Sequence, residues 1–341
     1  MSTPQNIQDN EAAGTSGARQ EKSLRALIFA FFSQPVAGPL VALVAIVIFF
    51  SMATSTFFNP RNLSLLFQQS VVVGTLALGQ TLIILVAGID LACGAIMVFG
   101  TVAIGSFAVA GNVGLGILAG LLICVTAACI NGAVIARLRL PPFIVTLGMF
   151  TVLQAVARLY SSSESYPISS GLLRILGKPA LTTPMVVSYG TILWVALTLL
   201  LCYVLNQTAW GVRVYAVGNN PTGARLNGIK VNRVIFSVYG LAGLFYFFAA
   251  WQALGRTPIA DPSAYQLANL DAITAVVIGG SSLFGGRGGV IGTFVGALIV
   301  IVLQNGLTQA GIDSLYQQVA TGILVVLAVT ADQYVSRRKR S

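Results

Sequence analysis

Asp90 is set in Val86–Ala95, VAGIDLACGA, far from either end of a long apolar stretch and between Gly88 and Gly94. An ionisable residue at membrane depth is costly, so it is a functional candidate by default. The competing reading is a tight turn in which Asp90 accepts N–H groups at the start of the next helix. The two readings are compatible. The amides Gln68, Gln69, Gln80, Asn131, Gln154, Gln304 and Asn305 also lie inside apolar runs. Each must find a hydrogen-bond partner or face a cavity. Such groups either hold neighbouring helices together or line a polar path. Gln80, Asp90, Asn131, Gln154, Gln304 and Asn305 are the candidates for that path, and several neutral amides with almost no charge suit a neutral polyol better than an ion. Bond-making chemistry finds no support. The chain has no histidine, no GxxxxGK[ST] phosphate loop, no HExxH and no GxSxG. Cys93, Cys124, Cys129 and Cys202 sit in apolar runs without a CxxC, as packing residues rather than metal ligands. No metal site is expected.

These residues need a membrane scaffold to position them. Of 341 residues 56% are hydrophobic and only 8% charged, and the mean hydropathy is +0.86, values of a polytopic membrane protein. The net charge of +10 raises nucleic acid as a partner. The basic residues cluster at the ends of apolar runs, however, so orientation in a membrane accounts for them and no nucleic acid is expected. The expected fold is all-α, with ten transmembrane segments whose cores lie near 39–58, 66–87, 91–110, 115–136, 143–160, 187–205, 234–254, 270–284, 290–310 and 317–335. A polar cytoplasmic tail (1–34) precedes the transmembrane domain (35–335), and a basic tail (336–341) follows. A signal peptide is the competing reading of the first run, opposed by the long polar stretch ahead of its basic cluster.

Threading ten segments from an inside N-terminus puts most basic residues on one side. Arg19, Lys22, Arg25, Arg137, Arg139, Arg213, Arg225, Lys230, Arg233, Arg287 and the run Arg337–Arg340 fall inside, while Arg61, Arg158, Arg174, Lys178 and Arg256 fall outside. That asymmetry is the one expected of cytoplasmic loops, with both termini inside. The largest inside loop, 207–233, contains Asn219, Asn220 and Pro221, a turn and helix-start signal. Pro221–Leu226 then reads as a short helix, stopped by Asn227-Gly228. A short helix there suits docking of a soluble partner, and small Gly223 and Ala224 would allow close approach. A basic loop against anionic lipid is the alternative. The longest outer loop, 161–188, contains Pro167, Pro179 and Pro184 and is a candidate surface for an extracytoplasmic partner.

Two segments are irregular. The first is the stretch around 88–95. The second, Asp271–Ala297, is interrupted at Gly279-Gly280 and Gly285-Gly286. Its apolar run over 270–284 would make a helix of about 22 Å, too short for a ~30 Å hydrocarbon core. Short, glycine-broken segments in both halves of a membrane protein point to a transport path, and close packing through small residues is the alternative.

Four stretches carry a family likeness across nearly the whole chain after about residue 35. GIDLACGA (88–95) resembles GIDLSVGS, and LPPFIVTLGM (140–149) matches LPPFIVTLGM. GVRVYAVGNNPTGARLNGI (211–229) is similar to GR-x-x-YA-x-G-x-N-x-x-AARLSGI. AVVIGGSSLFGGRGGVIGTFVGA (275–297) is similar to AVVIGGTSL-x-GG-x-GT-x-x-GT-x-x-GA. These are motifs of the ribose-type sugar permeases of bacterial ABC importers. The sequence departs from them at Ala92 and Ala95, where that family has serine, and at Gln154, where it often has arginine. The resemblance implies an inner-membrane permease without enzymatic activity or cofactor of its own, ATP and magnesium being bound by a partner ATPase. It implies a second permease copy, a periplasmic sugar-binding protein and a monosaccharide substrate. It also implies that Asn219, Asn220, Pro221, Thr222, Gly223, Ala224, Arg225, Leu226, Asn227 and Gly228 couple the permease to the ATPase. An ion-coupled secondary transporter or channel is the alternative, and a membrane enzyme lacks catalytic groups.

Overall fold

The computed structural model describes residues 36–181 and 186–338. The polar tail expected over 1–34 lies outside them, as do the last three residues of the basic tail. Among the described residues there are twelve helices. They are α1 (Ala37–Ala53), α2 (Pro60–Leu85), α3 (Cys93–Val109), α4 (Val113–Leu138), α5 (Pro142–Tyr160), α6 (Tyr189–Gln207), α7 (Ala209–Asn219), α8 (Pro221–Leu226), α9 (Val231–Arg256), α10 (Ala268–Ile278), α11 (Val290–Gln309) and α12 (Ser314–Arg338).

Each of the ten apolar segments read from the sequence overlaps one of these helices, but the helices within 39–58 and 270–284 end early, at Ala53 and Ile278, where turns begin. Six of them, α2, α4, α5, α6, α9 and α11, are long and apolar enough to cross a membrane. α1, α3 and α10 are shorter apolar helices, α12 is apolar over Ser314–Leu327, and α10, with 11 residues, spans only about 16 Å. The expected tail from 336 is still helical through Arg338.

The bundle is built around α2. From Ser70 to Leu85 every α2 residue is buried, because α9, α10, α11 and α6 all pack on it. A helix buried on all sides in this way is a core helix, and it carries Ser70, Thr75, Gln80 and Thr81 buried with it. α4 lies against α3 and α9, and α1 against α11. Small residues set these distances. A Cβ on Gly243 of α9 would stand 2.8 Å from the Cys124 carbonyl oxygen of α4, so the two backbones nearly touch, as in small-residue membrane packing. Trp194 of α6 stacks on Phe294 of α11 at 4.3 Å. The outward faces of α4, α5 and α6 expose Leu118, Leu122, Ile144, Val152 and Leu199, an apolar surface suited to hydrocarbon.

Four short strands, which sequence reading did not anticipate, stiffen the connections. β1 (Tyr166–Pro167) and β4 (Ile259–Ala260) pair antiparallel, with Tyr166 opposite Ala260. β2 (Pro179–Leu181) pairs with β3 (Val187–Ser188). Between them Gly177 meets the end of α9 so closely that a Cβ would overlap the Gly255 carbonyl. The connection from α5 to α6 is therefore a folded cover over one end of the bundle.

Candidate functional site

The break between α2 and α3 is a polar junction held by side chains of the surrounding helices. α2 ends as Ala87 takes a left-handed conformation, φ 61°, and Gly88 N–H returns to the Ile83 carbonyl (2.9 Å). Irregular backbone inside a membrane bundle must be satisfied by the protein itself, and side chains from four helices do this. Thr146 Oγ1 of α5 donates to the Ile89 carbonyl (3.0 Å) and Asn269 Nδ2 of α10 to the Leu91 carbonyl (3.0 Å). The Gln80 amide of α2, oriented as its surroundings require, donates to the Asp90 carbonyl and accepts from the Asp90 N–H, both at 3.2 Å. The Asp90 carboxylate accepts from Ala92 N–H (2.8 Å) and from Tyr246 Oη of α9 (3.0 Å). Asp90 is completely buried. In this conformation it pins the turn and the start of α3 to α9 and does not face an open channel.

The second break, between α10 and α11, folds back onto the first. Gly286 N–H donates to the Leu85 carbonyl at the end of α2 (2.9 Å), and Tyr215 Oη of α7 donates to the Gly288 carbonyl (3.0 Å). Gly280, Gly285 and Gly286 all have positive φ, which glycine alone adopts without strain. Gly279 serves a different need, because a Cβ there would lie 2.4 Å from the Gly292 carbonyl oxygen. Gly88 and Gly94 likewise allow close approach, to Ile83 and to the Asn269 backbone respectively. The two glycine-broken segments, far apart in sequence, thus form one unit. The end of α7 closes it: a Cβ on Gly218 would overlap the Leu85 carbonyl and stand 2.7 Å from Gly286 N.

α8 leads directly from this unit. Asn220 Oδ1 accepts the Gly223 N–H (2.9 Å), Pro221 occupies the first helical position, and both are favourable there. Asn227 Nδ2 donates to the Gly223 carbonyl (2.9 Å), and Gly228, φ 80°, ends the helix. Ala224 faces the bundle and is buried, so it does not offer the close approach read from its size. The outward face carries Asn219, Pro221, Thr222, Arg225 and Leu226, and Leu226 is 85% exposed. Arg213, Lys230 and Arg233 line an adjoining groove with Trp210 at its rim. Residues 207–220 were read as loop and are largely α7. The signal was there: Gly211, Val214, Val217 and Gly218 are its buried residues, a three-to-four spacing partly hidden by glycines.

The other expected path residues are dispersed. Asn131 is buried on α4, with neither amide atom hydrogen-bonded among the described residues. Gln154 is half-buried on α5. Asn305 exchanges two hydrogen bonds with Asn62 (3.0 and 3.1 Å) and ties α11 to α2. Gln304 Nε2 donates to Asp271 Oδ1 (3.0 Å) beside a cavity between α10, α11 and α12. Among the described residues no group of His, Cys, Asp and Glu is placed to hold a metal ion.

The bundle thus combines six membrane-length helices, two breaks packed on one another and a capped surface helix. Residues 62–329 match the family of the branched-chain amino acid transport system / permease component, and the chain belongs to it. The chain is 41% identical over 328 residues to the fructose import permease protein of Rhizobium meliloti, covering 94% of this chain and 91% of that one. It is 37% identical to the ribose import permease protein of Bacillus subtilis (87% and 92% covered). It is 31% identical to the xylose transport system permease protein of Escherichia coli K12 (88% and 92% covered). No solved structure matches it.

Proposed function

We propose that the chain is the permease subunit of an ABC importer that carries a monosaccharide across the bacterial inner membrane. The observation that carries this is the whole-length relationship to permeases for fructose, ribose and xylose. The test is uptake of labelled fructose, ribose and xylose by cells expressing the chain with its ATPase and binding-protein partners, against cells lacking it. Loss of all three activities from the comparison sinks the proposal. An ion-coupled transporter is not favoured, because the Asp90 carboxylate is hydrogen-bonded within the junction and α8 would be left without a purpose.

The ten apolar helices would cross the membrane from a cytoplasmic N-terminus, with α8 inside and the folded α5–α6 cover outside. The inside basic residues support this orientation. Cysteines at Asn219 and Ser165, both exposed, are expected to react with impermeant reagents from opposite sides. Reaction of both from the periplasmic side alone would exclude it.

Two copies of the chain would pair with two ATPase domains and one periplasmic binding protein, alternating access between the two faces. ATP and magnesium belong to the partner. α8 is the coupling element in this reading. Its push reaches both breaks through Gly218, Leu85 and Gly286, a path of backbone contacts with little slack. Leu226→Asp and Arg225→Glu leave the inward face of α8 untouched. Each is expected to weaken ATPase recovery from detergent at least about tenfold, the scale of one interface anchor, while the permease still inserts. Undiminished recovery with intact uptake would remove α8 from this role.

A further inference from the structure

A cavity lies between α10, α11 and α12. It holds about 250 Å³ and is lined by Asp271, Gln304, Ser314, Gln317, Gln318 and Thr321, with Leu267, Leu270, Gly322 and Val325 completing the wall. Ser314, Gln317, Gln318, Thr321, Gly322 and Val325 recur at helical spacing, so they form one stripe on α12. The neighbouring stripe is apolar and exposed: Leu315, Val319, Ile323 and Val326. In the first two turns of α12, Ser314, Gln317, Gln318 and Thr321 thus turn hydroxyls and amides towards the half-buried Asp271 carboxylate.

The hydrogen-bond inventory says how much of that polarity is already used. Gln304 Nε2 is committed to Asp271 Oδ1, and Gln317 Nε2 to Thr308 Oγ1 (3.1 Å) and the Ile312 carbonyl (2.9 Å). Thr321 Oγ1 donates to the Gln317 carbonyl (3.0 Å). Among the described residues, the second oxygen of Asp271, the Gln318 amide and the Ser314 hydroxyl have no hydrogen-bond partner. Ser314 and Gln318 are exposed and Asp271 is half-buried in the wall, so a polar ligand entering the cavity can reach all three.

We infer that this cavity is a sugar subsite within the permease, taking one neutral monosaccharide with the Asp271 carboxylate accepting from its hydroxyls and Gln318 and Ser314 completing the contacts. The inference rests on the permease reading above and adds a place for the substrate. The chemistry fits a neutral polyol: one carboxylate, then amides and hydroxyls that both donate and accept. The volume lies just below the ~300–1,000 Å³ of sites for drug-sized ligands, as a smaller molecule requires. Leu267, Leu270 and Val325 supply the apolar wall that the C–H face of a sugar ring packs against. The site lies at the end of the bundle opposite α8, because α11 runs from the α7 contact at its start to Gln304 near its end.

Two measurements on the full chain with its partners test this. In the first, uptake of labelled fructose, ribose and xylose is compared for Asp271→Asn, Gln318→Leu and Ser314→Ala. Each is expected to slow transport about three- to tenfold, the scale of one lost hydrogen bond, unequally for the three sugars, while ATP hydrolysis stimulated by the binding protein stays at the wild-type rate. In the second, the Gln318→Cys thiolate is modified with a methanethiosulfonate reagent during turnover, forming a mixed disulfide with release of methanesulfinate. A transported sugar is expected to slow the modification, and sodium or potassium chloride to leave it unchanged. Unchanged sugar ratios in all three variants, or modification indifferent to every sugar, overturns the subsite. Protection by the cation in place of the sugar overturns it in favour of an ion site. Wild-type chain that takes up none of the three sugars is a different result, and it is the permease reading that then fails.

Discussion

Gly218→Val is expected to uncouple and destabilise the protein together. Gly218 ends α7 with its Cα against the Leu85 carbonyl, and even one methyl group there would overlap that oxygen and crowd Gly286 N. Both neighbours are backbone, and both are pinned: Leu85 by the last turn of α2, Gly286 by its hydrogen bond to Leu85. No rotamer change relieves the clash, so the α7 end must move away from the two breaks. Overpacking of this kind costs typically 1–3 kcal/mol and occasionally more; with a backbone partner the expectation is about 3 kcal/mol. Gly218→Ala should already show most of it. The measurement pairs thermal unfolding of the purified permease with uptake in vesicles. A lower melting temperature with lost uptake is expected from both variants. Wild-type values from Gly218→Val would mean that α7 does not bear on the breaks.

Asp90→Leu is expected to be about as damaging, for a different reason. It removes the acceptor for Ala92 N–H and for Tyr246 Oη and leaves both buried. A hydrogen bond to a charged group contributes about 1.5–3 kcal/mol, so losing two costs on the order of 3–6 kcal/mol. Asp90→Asn keeps the shape. Its carbonyl oxygen still accepts from Ala92 N–H, and its amide donates to the Tyr246 hydroxyl, which can also accept. That variant should lose only about 1 kcal/mol and retain most uptake. A proton or ion carrier at this position predicts the opposite order for transport, with Asn as inactive as Leu. Uptake and unfolding measured side by side for the two variants separate a pinned turn from a carrier, and equal loss of uptake with unchanged stability would support the carrier.

The element plan was legible because membrane helices announce themselves locally. Ten apolar runs, the short helix at Pro221–Leu226 and the two glycine-rich interruptions each depend on residues within one turn or one span of each other. What could not be read is what those interruptions do together. Asp90 finds Tyr246 and Asn269 reaches Leu91 across 156 and 178 residues, and nothing near residue 90 names either partner. The left-handed residue of the first break is Ala87, although Gly88 stands next to it, because the clash with Ile83 fixes where the glycine is needed. Ala224 was read as an outward contact because size alone does not tell which side of a one-turn helix is buried. The polar stripe from Ser314 to Thr321 was visible at helical spacing, but a stripe becomes a cavity only when Asp271 and Gln304 are brought against it.

The pinning of the first break also bears on how the chain is made. Residues 86–92 enter the membrane with α2 and α3, when of their side-chain partners only Gln80 has been synthesised. At ~5–20 residues per second, Asn269 follows Leu91, 178 residues earlier, by about 10–35 s. Within that interval the Ile89 carbonyl waits for Thr146, the Asp90 carboxylate for Tyr246, and the Leu91 carbonyl longest of all for Asn269. The α2–α3 pair is therefore expected to stay at the insertion machinery until α9 and α10 arrive. A ribosome-stalled chain ending before Tyr246 should remain cross-linkable to that machinery, and one extending beyond α10 should be released.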